Sequence, residues 1–211
     1  MLPTMRTVKI LSLCLLLAGC AGMDAAECQL ADWRAIGYED GVQGRGPEHF
    51  ATRRKACAEH GVMAQFDAYT VGRGEGLAQY CRPLNGYHLG TQGHQYRGIC
   101  PAGLESAFVA AHADGYGLYR RHATLKSIRS RLNHRKKRAN EIERQLVEKT
   151  TALVSFGAGP SQRASLAVDL KQLAEEKGEV QATIAQLERD EALAARDYEA
   201  YRRQLETNGL R

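Results

Sequence analysis

The sequence contains no apolar run long enough to cross a bilayer. A spanning helix needs about 20 apolar residues; the run from Ile10 to Leu17 falls well short, and no later segment comes closer. Chemical motifs are equally scarce. There is no Cys-x-x-Cys, no His-Glu-x-x-His and no Gly-x-Ser-x-Gly, which removes zinc modules, helix-borne metalloprotease sites and the nucleophile elbow. The Gly-rich segments lack the lysine and flanking strand of a phosphate cradle. The chain therefore reads as non-enzymatic, with no cofactor and no metal site. His49, His60, His88, His94 and His112 read as surface histidines; only His88 and His94, in one cysteine-closed segment, form a conceivable metal pair.

The short apolar run has a different reading. Arg6 and Lys9 precede it, and Leu17-Ala18-Gly19-Cys20 follows, giving the basic start, apolar stretch and small residues of a secretory signal. The pattern resembles a bacterial lipobox. That resemblance implies cleavage after residue 19, a diacylglycerol thioether on Cys20 and acylation of its new amine. Ala21 after the lipidated cysteine resembles the outer-membrane sorting signal of enteric lipoproteins. The expected location is the outer membrane, lipid-anchored and facing the periplasm, with residues 20–27 as the linker.

Cysteine usage agrees with export. Cys14 leaves with the signal and Cys20 carries lipid, so Cys28, Cys57, Cys81 and Cys100 remain, at spacings of 29, 24 and 19 residues. An even set of four in an oxidising compartment reads as two disulfides, for which spacing alone leaves three connectivities. Helix signals narrow them. Leu30, Trp33, Ile36 and Gly37 recur at helical spacing over 28–44, and 47–60 opens with Gly46-Pro47 and closes with His60-Gly61. As an antiparallel hairpin these helices place Cys28 beside Cys57. A third helix over about 64–80 ends at Cys81, and a fourth starts after Cys100-Pro101, with a Gly-rich excursion between, so Cys81 pairs with Cys100. The segment from Arg82 to Ile99 reads as a disulfide-closed structural loop; presentation of Tyr87 and Tyr96 to a glycan is the competing reading.

Within this head, over 28–117, Gly37 to Gly41, Gly72 to Gly76 and Ala111 to Gly115 each place a small residue four positions before a glycine that follows an acid. Tyr80 and Tyr119 lie four residues beyond two of them. Glycine inside a helix costs about 1 kcal/mol relative to alanine, so the repetition predicts close helix contact. A polar site shared by Asp40, Glu75 and Asp114 is the alternative. The lipobox, Cys28, Asp32-Trp33, Ile36 to Gly41, Cys57, Gly72 to Gly76, Tyr80-Cys81 and Asn85-Gly86-Tyr87 through Tyr96 to Pro101 together resemble the uncharacterised bacterial lipoproteins grouped as domain of unknown function 2799. The resemblance covers roughly residues 1 to 125. It implies location and a disulfide-bearing head, and no reaction, ligand or catalytic residue.

After Gly117 there is no cysteine and one proline, Pro160, within Phe156-Gly157-Ala158-Gly159-Pro160-Ser161. On one side Leu118, Leu125, Leu132, Ala139, Leu146 and Leu153 recur every seven residues, with Ile128 and Ile142 between. On the other, Leu166, Leu173, Val180, Leu187, Ala194 and Tyr201 do the same, with Leu170, Ile184, Tyr198 and Leu205. Heptads on both sides of a turn predict an antiparallel coiled-coil hairpin with arms 118–156 and 162–208 and a turn at 157–161. The expected fold is thus all-α, a small disulfide-stapled helical head followed by this hairpin. Arg121, Arg135, Lys149, Lys177 and Glu191 interrupt the seams, which predicts a loose pairing and leaves room for a dimer.

Residues 120–138 hold nine basic side chains and no acid. One reading is contact with an anionic partner through Arg129, Arg131, Arg135, Lys136, Lys137 and Arg138. The other pairs the stretch with Glu188, Asp190, Glu191, Asp197, Glu199 and Glu206 of the opposing arm. Loss of Arg6 and Lys9 lowers the formal net charge from +5 to +3, and nucleic acid is not expected as a partner in this compartment. The functional expectation is a structural or protein-interaction module acting through the hairpin, on an envelope protein or a second copy. The alternative is a module that binds peptidoglycan or lipopolysaccharide.

Overall fold

A computed structural model describes residues 23–155, 157–207 and 209; the signal segment and Cys20 lie outside them. Every regular element among the described residues is an α-helix: α1 (Ala25–Leu30), α2 (Trp33–Val42), α3 (Glu48–Glu59), α4 (Phe66–Tyr80), α5 (Pro83–Thr91), α6 (Ala102–Val154) and α7 (Pro160–Thr207). The described residues divide into two compact units, one of residues 23–82 and 97–108, the other of residues 83–96 and from 109 onward.

The first unit differs from expectation at its start. The single helix foreseen over 28–44 is two, because Asp32 accepts hydrogen bonds from the backbone N–H groups of Arg34 and Ala35, both at 3.0 Å, and caps a new helix there. Helix α1 opens with a capping box in which Asp24 and Glu27 each accept from the other's backbone N–H. Cys28 and Cys57 are bonded with their Cα atoms 5.4 Å apart, and Cys81 and Cys100 at 5.7 Å, the two pairings foreseen. Around the first bridge Trp33, Phe50 and Tyr69 are buried, with Met23, Ala31, Ile36, Val62, Ala64 and Ala68 against them.

The glycines explain how α2 and α4 approach. A Cβ on Gly37 would run into the Tyr69 carbonyl, one on Gly72 into that of Arg34, and one on Gly76 into the backbone of Tyr38, Val42 and Gly41. The two backbones are in direct contact, which only residues without side chains permit. Helix α2 ends at Gly44, whose φ of +64° and cover by the Tyr80 ring both demand glycine.

The second unit repeats this construction. The segment 82–99, expected as a loop, carries helix α5, and a Cβ on Gly90 would meet the backbone of His112 and Tyr116 on α6. Gly115 approaches the Tyr87 carbonyl in return, and Gly93, with φ of +78°, lies under the Tyr119 ring. Gly37-Tyr38-x-x-Gly41-x-Gln43-Gly44 aligns with Gly86-Tyr87-x-x-Gly90-x-Gln92-Gly93, and Gly76 with Tyr80 aligns with Gly115 and Tyr119. The chain therefore contains two copies of one glycine-paired helix unit. In the alignment of the two copies Asp40 corresponds to Leu89 and Tyr69 to Phe108.

Helix α6 runs unbroken through the expected boundary at residue 118, so the head's fourth helix and the first arm are one element. From residue 109 it belongs with α7. Leu125, Leu132 and Ile142 on one arm and Leu173, Val180, Leu187 and Leu205 on the other are buried, as the heptads require. Ile142, Leu173 and Val180 form one cluster with Ala139, Leu146 and Ile184 around it.

Candidate functional site

Of the acids beside glycines, Asp40 and Glu75 in the first unit and Asp114 in the second each have their own partners. Asp40 is fully buried and accepts from Tyr69 Oη at 3.0 Å, from Arg45 Nη1 at 3.3 Å and from Arg53 Nη1. Arg73 completes this clasp by donating to the Arg45 carbonyl at 3.0 Å. Its geometry ties the chain between α2 and α3 to α4. Burial, then the hydrogen bond from its hydroxyl to Asp40, pushes Tyr69 up to about 12. Glu75 instead pairs with Arg34 on the surface, and Asp114 lies 3.5 Å from the Tyr201 hydroxyl. Among the described residues no group of three His, Cys, Asp or Glu could hold a metal ion. His112 Nε2 is 2.7 Å from the His94 carbonyl oxygen, which gives that ring a structural role.

The functional interest therefore moves to the hairpin surface. Of the five charged residues that interrupt the heptad seams, four find partners on the other arm. Arg121 pairs with Asp197 at 3.2 Å and lies over the Tyr201 ring, Lys149 with Asp169 at 2.7 Å, Lys177 with Glu143 at 3.0 Å and Glu191 with Arg129 at 2.7 Å. Charge pairs thus close the seams at four of these five positions, Arg135 being the exception, which offsets part of the looseness foreseen from sequence. Lys136 joins Glu188 at 2.8 Å, and Arg138 binds Glu176 through two bonds of 2.7 Å. This fork, the strongest arrangement a guanidinium and carboxylate can make, lowers the Glu176 carboxyl and raises Arg138.

Half of the six basic candidates are engaged in this way. Arg129, Lys136 and Arg138 face acids across the hairpin, whereas Arg131, Arg135 and Lys137 have no ion pair among the described residues. Arg131 and Arg135, four residues apart on one face of α6, line a groove of about 360 Å³ together with Ser130, His134, Thr183 and Leu187. The lining holds two arginines, a histidine and a serine with no carboxylate, while the Thr183 hydroxyl donates to the Glu179 carbonyl at 2.9 Å. Nearer the turn the surface changes character: Val147, Val154 and Val168 are 64%, 70% and 56% exposed. Sequence reasoning missed these valines, which lie outside the heptad seams.

A helical head stapled by two disulfides and joined to a long antiparallel helix pair defines the class of this protein. Residues 32–117 match the model of the family described as protein of unknown function (DUF2799). That stretch holds the paired glycines of both copies and ends within α6. Neither the curated proteins nor the solved structures contain a match to the chain.

Proposed function

We propose that this is a non-enzymatic lipoprotein of the cell envelope, anchored through Cys20 in the outer membrane and facing the periplasm, which acts as a protein-interaction module through its hairpin. The observation that carries the reading is the combination of charge-closed seams with outward valines near the turn. The valines lie outside the seams, four of whose five charged interruptions are paired between the arms, so the pairing of the arms does not use them. Apolar side chains held outward on a braced helix pair are the pattern of a docking face. A photoreactive residue placed at Val147 or Val154 crosslinks in intact envelopes to a discrete envelope protein or to a second copy, whereas one at Lys171, 78% exposed on α7, does not. Equal or absent crosslinking at all three positions rejects the reading.

The groove of Arg131 and Arg135 supports a second reading, an envelope polymer module that takes the anionic groups of lipopolysaccharide or peptidoglycan. Unpaired guanidinium groups recognise phosphate and carboxylate through paired hydrogen bonds. Retention of the protein on either polymer at physiological salt, abolished by Arg131→Glu with Arg135→Glu, is the expected result. No retention removes this reading.

A further inference from the structure

The two most exposed large apolar side chains of the described residues are not on the hairpin. Met63 is 89% and Leu30 86% exposed, with Phe66 at 60%. All three project from segments held by one cluster. Leu30 lies between Cys28 and Ala31, Met63 between Val62 and Ala64, and each of those four neighbours belongs to or packs on the cluster around the first disulfide. The Phe66 ring is 5.4 Å from that of Phe50 in the same cluster. Met23 is held there too, its sulfur 4.0 Å from that of Cys57.

Met23 fixes where the chain leaves the head toward Cys20. Two residues, Ala21 and Gly22, lie between them; the three Cα-to-Cα steps of an extended chain at about 3.6 Å each give a reach of at most about 11 Å. The linker foreseen over 20–27 is shorter in effect, because its last residues are already folded. We infer that Leu30, Met63 and Phe66 form a rim that inserts into the bilayer interface beside the lipid anchor, an inference that rests on the acylation of Cys20 proposed above. A tether this short keeps the rim at high effective concentration against the lipid, so even weak apolar partitioning is sufficient.

Charge selects the kind of surface. Segments 23–33 and 61–72 contain Asp24, Glu27, Asp32 and Asp67 and no lysine or arginine. An anionic headgroup layer would repel them, so the rim fits a zwitterionic leaflet.

The test uses the acylated full-length mature protein in phosphatidylcholine vesicles whose acyl chains carry bromine. Trp33 is the only tryptophan; it is buried in the same cluster, 5.8 Å from Phe50. The expected result is quenching of Trp33 emission in the wild type and its loss in Leu30→Asp with Met63→Asp and Phe66→Asp, while both proteins still float with the vesicles. Met63→Asp alone, at the most exposed position, gives an intermediate loss and guards against a folding defect in the triple variant. Equal quenching in wild type and variant, or none in either, overturns the rim while leaving the anchor intact. Self-association that the triple variant abolishes, without quenching, assigns the rim to a second copy and overturns the membrane assignment. If neither protein floats and Cys20 carries no acyl mass, the anchor itself fails and the inference falls with it.

Discussion

Gly76→Ala should destabilise the first unit by about 3 kcal/mol, whereas Gly74→Ala, two residues away in the same helix, should stabilise it by up to about 1 kcal/mol. The contrast separates intrinsic propensity from packing. A Cβ on Gly74 meets nothing within 4 Å and gains only what alanine gains in a helix. One on Gly76 meets backbone atoms of Tyr38, Gly41 and Val42, which cannot rotate away as a side chain would. Relief requires α2 and α4 to separate along their contact, loosening the cluster that holds Trp33. Urea unfolding followed by Trp33 emission reads the first unit directly. Equal effects at the two glycines would mean that the helices are not in backbone contact.

Asp40→Ala should be comparably costly, about 3 kcal/mol or more, because it strands Arg45, Arg53 and the Tyr69 hydroxyl around a vacated carboxylate. The lower end of the range applies, since both guanidinium groups reach water, at 37% and 24% exposure. The second copy supplies the matching rescue. Asp40→Leu combined with Tyr69→Phe reproduces the residues of its Leu89 and Phe108 positions, so the double variant should lose less than the sum of the two single ones. A strictly additive double variant would show that Asp40 and Tyr69 act separately. Alkaline pH gives an independent reading. The folded Tyr69 is held neutral up to about 12, against an ordinary value of 10.0. Its stabilising contribution is complete below pH 10 and disappears between there and about 12, as the unfolded phenol ionises first. Tyr69→Phe should flatten that part of the stability curve.

Much of this architecture is visible in the residues themselves. The heptads on both arms, the turn just before Pro160 and both disulfide pairings follow from periodicity and helix signals, because burial of a repeating stripe and the meeting of helix ends are local consequences of sequence. The break before α2 was also written there, in Asp32, but Trp33 and Ile36 keep the helical period across it and disguise the cap. Helix α5 was hidden for a different reason. Its Gly86, Gly90 and Gly93 read as loop composition, and they are helical only because α6 offers a backbone to pack against. Comparison of Gly37 to Gly44 with Gly86 to Gly93 would have exposed it. The division of the basic stretch into paired and unpaired halves depends on the register of the two arms, which no periodicity within one arm determines.

The order of the disulfides along the chain bears on how the protein matures. Each cysteine of the folded head is bonded to its neighbour in sequence, Cys28 to Cys57 and Cys81 to Cys100. If the chain is exported and Cys20 acylated as proposed above, delivery N-terminus first into an oxidising space presents Cys57 when Cys28 is the one thiol waiting. It then presents Cys100 when only Cys81 is left. Vectorial delivery thus makes the first pairing encountered the native one, and such a chain can be oxidised correctly without an isomerase to reshuffle it.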